Sequence, residues 1–367
     1  MSQKNVKRRI GLITDDDFAT KHDPPYPNPT FVSYETPLRI SAIMNYFEKM
    51  NLFSRDRIQE FLPRQIDEEI LKLAHTQYHI NTIKRLTNYG GCLMGEDVFV
   101  APETFSVAKK AVGGVIEAVE RVLSGDIAQA FALVRPPGHH SFREEASGLC
   151  IFNNIATTIL YLREKKQYEK KIAIIDIDDH YGDGIARYFY EDPSVLYFSV
   201  HEFDFLEGDL GFISDVGAGE GLGTSINFPI PLYTTDEEFL EFFDIITPIL
   251  KEFEPDMLIV PAGFDMYFAD PIGNCCLTSK SYYEFTSRIL AIAEQLCDGK
   301  IVFSLEGGYD LIGLPICCYS IFSALLKESF VDHPFERLDF SRYSKKREIM
   351  KIKKSLRDTL KPFWDSI

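Results

Sequence analysis

Apolar residues follow two patterns along the chain. Short, continuous apolar runs recur at 9–14, 130–134, 171–177, 195–200, 257–261 and 301–305, and runs of this length are typical of buried strands. Between them, apolar residues recur at helical spacing over 38–50, 68–89, 104–123, 153–164, 236–253 and 279–297. Alternating strands and helices predict an α/β fold: one domain with a central, mostly parallel sheet and helices on both faces.

Two segments depart from this alternation. A proline-rich stretch, residues 24–29, is expected to form a loop between the first strand and the first helix. The tail over residues 342–361 carries nine basic and two acidic residues, and its apolar residues Ile349, Ile352, Leu356 and Leu360 fall near one helical face. We interpret residues 1–340 as the main domain and 341–367 as a basic amphipathic helix that packs on it or extends from it. An arm that binds a partner or nucleic acid is the alternative.

The charge balance narrows the possible partners. Among 367 residues, 55 are acidic and 39 are Lys or Arg, which gives a net charge of −16. This acidity argues against direct nucleic-acid binding and favours a cationic substrate or partner. No apolar stretch reaches the roughly 18 residues of a membrane span, and Asp15, Asp16 and Asp17 interrupt any signal-peptide core. Together with seven cysteines and no CxxC motif, this predicts a cytoplasmic protein with reduced thiols and no membrane association.

Polar clusters follow four of the predicted strands, at residues 135–140, 176–184, 262–265 and 306–310. In open α/β sheets, ligands bind beyond the carboxyl ends of the strands, so these clusters are expected to converge. Asp178 and His180 point to the same side of an extended strand end because they are two residues apart. With Asp265 they form a set of three ligands, which leaves room for water as catalytic metal sites do. The alternative is that the aspartates cap turns and His180 is an ordinary buried histidine.

These motifs resemble the zinc-dependent histone deacetylase family, in particular its class II-like members. That family includes acetylpolyamine amidohydrolases and acetoin-utilisation proteins, and it shares its fold with the arginases. The resemblance covers roughly residues 10–330 and would make the main domain a deacetylase catalytic domain. It rests on RPPGHH at 135–140, SGLCIFNN at 147–154, DIDDHYGDG at 176–184, SVHE at 199–202, PAGFD at 261–265, DPIG at 270–273 and EGGYDL at 306–311.

The resemblance implies a complete set of site residues. Zn²⁺, with Fe²⁺ as the alternative ion, would be bound by Asp178, His180 and Asp265. The catalytic residues would be His139 and His140, oriented by Asp176 and Asp183, and the hydroxyl of Tyr309. A structural K⁺ would be held by main-chain oxygens of Asp176, Asp178, His180, Ser199 and Val200. Substrate would contact Asp97, Gly148, Leu149, Phe205 and Ile272.

Several positions depart from the family's usual residues. Tyr181 replaces a second histidine, and Leu149 replaces a phenylalanine of the acyl-lysine tunnel, so acyl groups other than acetyl are worth testing. Ile272 stands where one polyamine deacetylase type has a glutamate. Gly182 and Tyr267 stand where the arginases have additional metal-binding carboxylates, which favours one metal and amide hydrolysis.

The implied activity is zinc-dependent hydrolysis of the amide of an acylated amine, with Nε-acetyl-lysine in proteins or peptides as the first substrate class. An acetylpolyamine or another small amide is the alternative, and a catalytically inactive, deacetylase-like binding module is a third possibility. Acidic residues near the expected rim are either solvated loop charges or a local field that attracts acylated cationic substrates: Asp97, Glu202, Asp204, Glu207 and Asp209.

Overall fold

The computed structural model of the protein describes residues 9–26, 33–94, 97–206 and 208–367, so part of the proline-rich loop and Glu207 lie outside the described residues. The strands are β1 (Ile10–Ile13), β2 (Ile58–Phe61), β3 (Cys92–Met94), β4 (Val98–Val100), β5 (Gln129–Ala132), β6 (Ile172–Asp176), β7 (Val195–Glu202), β8 (Ser225–Ile230), β9 (Met257–Ala262) and β10 (Ile301–Leu305). The helices are α1 (Asp16–Thr20), α2 (Leu38–Lys49), α3 (Glu68–Ala74), α4 (Gln77–Asn88), α5 (Thr104–Ser124), α6 (Asn154–Lys166), α7 (Asp183–Phe189), α8 (Asp236–Phe239), α9 (Phe243–Phe253), α10 (Ser279–Leu296), α11 (Gly313–Leu326) and α12 (Lys346–Leu360).

Eight strands form one parallel sheet in the order β2-β1-β5-β10-β9-β6-β7-β8. The predicted α/β class and mostly parallel sheet are therefore confirmed, and each of the six predicted strands is present. The two edge strands escaped prediction for physical reasons. β2 reads IQEF, with polar residues at an edge, and β8 contains Pro229, which sheets tolerate only at edges and bulges.

Two of the predicted helices are interrupted. The segment 68–89 divides into α3 and α4, because the backbone of His75 is extended and Thr76 accepts a hydrogen bond from the His79 N–H to begin α4. The ring of His75 is buried there, and its Nε2 accepts a hydrogen bond from the Asn153 N–H at 2.9 Å. The segment 236–253 divides into α8 and α9 around a short 3₁₀ turn. Helical periodicity detected both segments, but it did not detect the breaks.

Helix α11 shows why some helices carry no periodic signal. All of its residues are buried, so apolar side chains surround it and no polar face marks the period. None of the described helices is both long enough and apolar enough to cross a membrane.

The basic tail forms α12, whose buried side consists of Ile349, Ile352, Leu356 and Leu360. These side chains belong to the main hydrophobic core, and α12 contacts the edge strand β8. Beyond the helix, the indole N–H of Trp364 donates to the Gly223 carbonyl at 2.9 Å. The division of the chain at residue 340 stays a prediction.

Candidate active site

A cavity of about 300 Å³ opens beyond the carboxyl ends of the central strands. The clusters that follow β5, β6, β9 and β10 meet at this edge because those strands are parallel neighbours in the sheet. Nine of the predicted site residues line the cavity: Asp97, His139, His140, Gly148, Leu149, Asp178, His180, Ile272 and Tyr309. Tyr34, Pro137 and Gly307 complete its wall.

Asp178, His180 and Asp265 form a compact group at the base of the cavity. Their ligand atoms all lie within 4.8 Å of one another, and the Nδ1 atom of His180 is 3.2 Å from Asp178 Oδ1 and 3.2 Å from Asp265 Oδ2. Both carboxylates are buried, whereas the His180 side chain is 43% exposed, so the group opens toward the cavity through the imidazole.

Backbone groups hold the two carboxylates in place. The Gly307 N–H donates to Asp178 Oδ2 at 2.8 Å, and the Asp179 N–H donates to Asp265 Oδ1 at 2.9 Å. A Cβ at Gly307 would lie 2.2 Å from Asp265 Oδ2, so this loop approaches only because the residue is glycine. Two buried carboxylates beside one imidazole are a donor set that suits Zn²⁺ or Fe²⁺, and the three residues therefore fit the implied metal.

The turn-capping alternative is also partly realised. The Asp178 N–H donates to Asp176 Oδ1 at 3.2 Å, and the His180 N–H donates to Asp178 Oδ1 at 3.0 Å. Capping of this kind shapes the loop after β6 and gathers the side chains, so it accompanies the three-residue group instead of replacing it.

His139 and His140 lie side by side, with ring centroids 4.0 Å apart. The Nδ1 atom of His140 is 2.8 Å from Asp183 Oδ1, and the Nδ1 atom of His139 is 3.4 Å from Asp176 Oδ2. The hydroxyl of Tyr197 donates to the same Asp176 oxygen at 3.0 Å. Each imidazole thus has its own carboxylate partner, in the pairing that the family resemblance implied.

The two imidazoles differ in basicity. Burial, together with the neighbouring His139, lowers the pKa of His140 below its usual value. Burial also disfavours charge on His139, but the carboxylates of Asp178 and Asp176 outweigh this and raise its pKa to about 10. Because a divalent cation at Asp178 would offset that carboxylate, metal binding is expected to lower the pKa of His139.

Tyr309 reaches the cavity from the loop after β10. Its N–H donates to Asp270 Oδ2 at 2.6 Å, and Asp270 Oδ1 accepts from the Ile272 N–H at 3.0 Å. Asp270 therefore connects two walls of the cavity. The Arg39 guanidinium lies over the Tyr309 ring, 4.8 Å from its centroid. Burial raises the pKa of Tyr309 well above its usual value, so its hydroxyl stays protonated and able to donate.

Leu149 is presented by a tight turn whose backbone places both Gly148 and Leu149 at positive φ, 53° and 65° respectively. A Cβ at Gly148 would lie 2.2 Å from His140 Cδ2, so only glycine lets the turn pass this close to the imidazole. The predicted substrate contact Gly148 is therefore a packing neighbour of a predicted catalytic residue.

Two further residues support the site from behind, and the sequence assigned no role to either of them. Glu306 is fully buried, and its Oε2 accepts from the N–H groups of Gly138 and His139 at 2.6 and 3.1 Å. Arg39 is fully buried and donates to the carbonyls of Gly308, at 2.7 Å, and Glu306, at 2.5 Å. Glu306 falls inside the segment 306–311 that carries the family resemblance, but spacing alone does not indicate the contacts of either residue.

Beneath the rim, Glu35 is buried between two arginines. It contacts Arg135 at 2.6 Å and Arg39 at 3.3 Å. Burial alone would raise the pKa of Glu35, but Arg135 outweighs burial and the pKa falls to about 2. This network fixes Arg39, which in turn holds the loop that carries Tyr309.

We expect Glu35→Gln to lower the free energy of unfolding by about 3–5 kcal/mol, because it leaves two buried guanidinium groups without their counter-charge. Chemical denaturation of the variant and of the parent protein measures the difference. The exposed Glu60 offers a matched control, and Glu60→Gln should change stability by less than about 0.5 kcal/mol. Equal stability of the two variants would contradict this role for Glu35.

Some predicted residues do not line the cavity. Phe205 is 45% exposed and packs on Phe203 instead, with ring centroids 4.9 Å apart. Among the described residues of the expected acidic rim, only Asp97 is part of the cavity wall. Ser199 is the register partner of Asp176 on the neighbouring strand, and Val200 follows it; both are buried below the site.

Comparisons with known proteins agree with this geometry. The profile of the histone deacetylase domain matches residues 33–325. A "Probable deacetylase" of Archaeoglobus fulgidus is 35% identical over 78% of this chain and 79% of its own length. "Polyamine deacetylase HDAC10" of Danio rerio is 37% identical over 69% of this chain and 39% of its own.

Longer matches show the same relationship. "Histone deacetylase 5" of Arabidopsis thaliana is 32% identical over 99% of this chain, which spans 55% of that relative's length. The crystal structure of the "HDA15 HD domain" superimposes with a TM-score of 0.83 at 26% identity, covering 98% of this chain and 96% of the other. The fold, the domain match and these relatives together show that this chain belongs to the histone deacetylase family of hydrolases.

Proposed function

We propose that this protein is a zinc-dependent deacylase that hydrolyses the amide bond of an acylated amine, with Nε-acetyl-lysine in proteins or peptides as its substrate class. The single observation that carries the proposal is the convergence of three potential metal ligands, two carboxylate-paired imidazoles and one protonated tyrosine on a cavity of about 300 Å³. These are the groups that metal-assisted hydrolysis of an amide requires.

The metal would be held by Asp178, His180 and Asp265. When bound, Zn²⁺ or Fe²⁺ would supply Lewis acidity toward the amide oxygen and toward water. The chain's own contribution is to keep both carboxylates buried and fixed by the N–H groups of Gly307 and Asp179.

Proton transfer is assigned to His140. Its lowered pKa favours the neutral imidazole near neutral pH, which is the form that can accept a proton from water. Asp183 engages Nδ1, so Nε2 is the nitrogen that remains for proton transfer. The same nitrogen can then deliver the proton to the departing amine. His139 lies beside His140, and its pairing with Asp176 would stabilise a positive charge on the His139 ring.

Tyr309 and the cavity wall act on the substrate. The Tyr309 hydroxyl would donate to the carbonyl oxygen as negative charge develops there. Asp97 is exposed at the wall and would engage the polar backbone of the substrate. Leu149 and Ile272 give apolar sides suited to the methylene chain of a lysine.

The family resemblance also supports a structural K⁺ held by main-chain oxygens of Asp176, Asp178, His180, Ser199 and Val200. The pairing of Asp176 with Ser199 on adjacent strands is consistent with that proposal, because it brings these two segments together directly below the metal ligands.

The proposed function predicts a defined substrate pattern. In a panel of acyl-lysine peptides and acetylated spermidine or putrescine, we expect hydrolysis of the peptides, with activity abolished by a chelator and restored by Zn²⁺. Because Leu149 is smaller than phenylalanine, acyl chains longer than acetyl should also be accepted. Liquid chromatography of the released amine measures each rate.

One variant tests the role of Leu149, and two outcomes of the panel would favour the alternative functions. Leu149→Phe should reduce turnover of the longer acyl groups more than that of acetyl, because it narrows one wall. A preference of more than about tenfold for acetylpolyamines, or about 1.4 kcal/mol, would favour the polyamine alternative. Absence of hydrolysis throughout the panel would favour the binding module, and hydrolysis that is insensitive to the chelator would contradict a metal-dependent mechanism.

A further inference from the structure

A second group of potential metal ligands lies behind the first. Asp179, Glu202 and Cys275 each offer one ligand atom, and these atoms all lie within 4.8 Å of one another. Asp179 and Cys275 are 2% and 3% exposed, and Glu202 is partly buried. The three residues come from three separate segments: the loop after β6, the end of β7 and the loop that follows β9. The proposed mechanism uses none of their side chains.

This second group is separate from the active-site cavity but connected to its base. None of its three residues lines the cavity. The Asp179 N–H donates to Asp265 Oδ1 at 2.9 Å, and a Cβ at Gly273 would approach both the Asp265 carbonyl, at 2.1 Å, and Asp179 Oδ2, at 2.7 Å. Whatever fixes Asp179 therefore also fixes a backbone donor to one of the primary metal ligands.

One oxygen of this group lacks a partner. Asp179 Oδ1 is buried and has no hydrogen-bond partner among the described residues. Leaving a buried carboxylate oxygen unpaired is costly unless a cation or a proton satisfies it. The neighbouring Glu202 is instead well oriented, since its Oε2 and Oε1 accept from the N–H and the side-chain amide of Asn274 at 3.0 and 2.9 Å.

The local charge favours a cation. Asp179 and Glu202 bring two carboxylates together, and neither forms an ion pair with a lysine or arginine within the described ranges. The thiol of Cys275 lies 4.0 Å from Glu202 Oε2. Two carboxylate oxygens and one sulfur match the ligands that Zn²⁺ and chemically similar divalent ions accept, whereas Mg²⁺ and Ca²⁺ prefer oxygen alone.

We propose that Asp179, Glu202 and Cys275 bind a second divalent transition-metal ion, of the Zn²⁺ class, next to the catalytic metal site. On binding, Cys275 loses its proton to solvent and the thiolate becomes the sulfur ligand. The ion ties the loops after β6 and β9 to the end of β7. It acts as a structural clamp that positions Asp265 and the loop carrying Asp270 and Ile272.

Cobalt distinguishes the two sites directly. The primary group contains no sulfur, so a thiolate-to-cobalt charge-transfer band can come only from a site with a cysteine ligand, and Cys275→Ser separates the proposed site from the other such group, which includes Cys150. We therefore expect chelator-treated protein titrated with Co²⁺ to bind two ions per chain and to develop that near-ultraviolet band. Equilibrium dialysis counts the ions, and absorption spectroscopy follows the band in the unaltered protein. One ion per chain without the sulfur band would overturn the proposal and indicate a carboxyl–carboxylate proton shared by Asp179 and Glu202.

Variants assign the band to its ligand. Cys275→Ser should remove the band and lower the count from two ions to one, and Asp179→Asn should weaken binding of the second ion. Cys276→Ser is the matched control, because Cys276 is the buried neighbour outside the group; it should keep both the band and the count. A band that persists in Cys275→Ser would refute the site.

The outcome is independent of the proposed function. Cobalt binding is read without turnover, so a protein that shows the sulfur band but hydrolyses no acyl-amide would retain the second site and lose the deacylase proposal. An active protein that binds one metal per chain would retain the deacylase proposal and lose the second site. Circular dichroism confirms that each variant is folded.

Discussion

Tyr309→Phe is expected to lower turnover by about 10²–10³-fold while leaving the metal content unchanged. The change removes only a hydroxyl, and loss of a donor to a developing oxyanion typically costs this much. The ring should stay in place, because the N–H of residue 309 still donates to Asp270 and the Arg39 guanidinium still covers the aromatic face. Steady-state kinetics on an acetyl-lysine peptide would show the loss in kcat, with little change in KM.

A matched tyrosine shows whether the effect is local. The Tyr283 hydroxyl donates to the Glu328 carbonyl at 2.8 Å and takes no part in the cavity wall, so Tyr283→Phe should retain the parental rate. A Tyr309→Phe enzyme as fast as the parent protein would show that the oxyanion donor is another group.

Asp265→Ala is expected to abolish both metal binding at the primary site and hydrolysis. Even the loss of a residue that only orients a metal ligand costs roughly 10–100-fold in metal affinity. Asp265 is itself one of the three side chains in the ligand group, so its loss should cost more. Its loss also frees the Asp179 N–H. Metal analysis after dialysis should show one ion fewer per chain than the parent protein, and the peptide assay should give only background.

Asp209→Ala provides the control, since Asp209 is an exposed acidic residue outside the cavity wall. It should bind metal and turn over substrate as the parent protein does. If Asp265→Ala retained the full metal content, the assignment of Asp265 as a ligand would be wrong. In a separate experiment, reconstitution of the metal-free parent protein with Fe²⁺ or Zn²⁺ would identify which ion supports activity.

The inner strands and the helices with one buried face were predictable from the sequence, whereas the fully buried α11 was not. The six inner strands were found because continuous apolar runs sit between helices, whereas the edge strands β2 and β8 were missed because edges tolerate polar residues and proline. The break at His75 was missed because helical periodicity runs through both α3 and α4, although the Thr76 cap that begins α4 is local.

Part of the candidate site was likewise predictable from the sequence, and part of it was not. The juxtaposition of Asp178, His180 and Asp265 was anticipated because parallel strand ends converge. The expected extended segment is absent, since β6 ends at Asp176 and a capped bend brings Asp178 and His180 together. The supporting residues Glu306, Arg39 and Asp270 act through backbone groups on other loops, and no spacing rule encodes such contacts. Phe205 was inferred from the resemblance alone, and the loop after β7 directs it toward Phe203.

Helix α12 lies beyond the matched family domain but belongs to the same hydrophobic core. The shared domain profile ends at residue 325, but the apolar side of α12 completes the same hydrophobic core further along the chain. A fragment that ended with the matched domain at residue 325 would therefore leave an apolar groove beside the edge strand β8. That groove would be open to water and to the edge strands of other molecules. In this protein, the boundary of the matched family domain falls inside the region that shares one hydrophobic core, so the tail beyond residue 325 is part of what must fold.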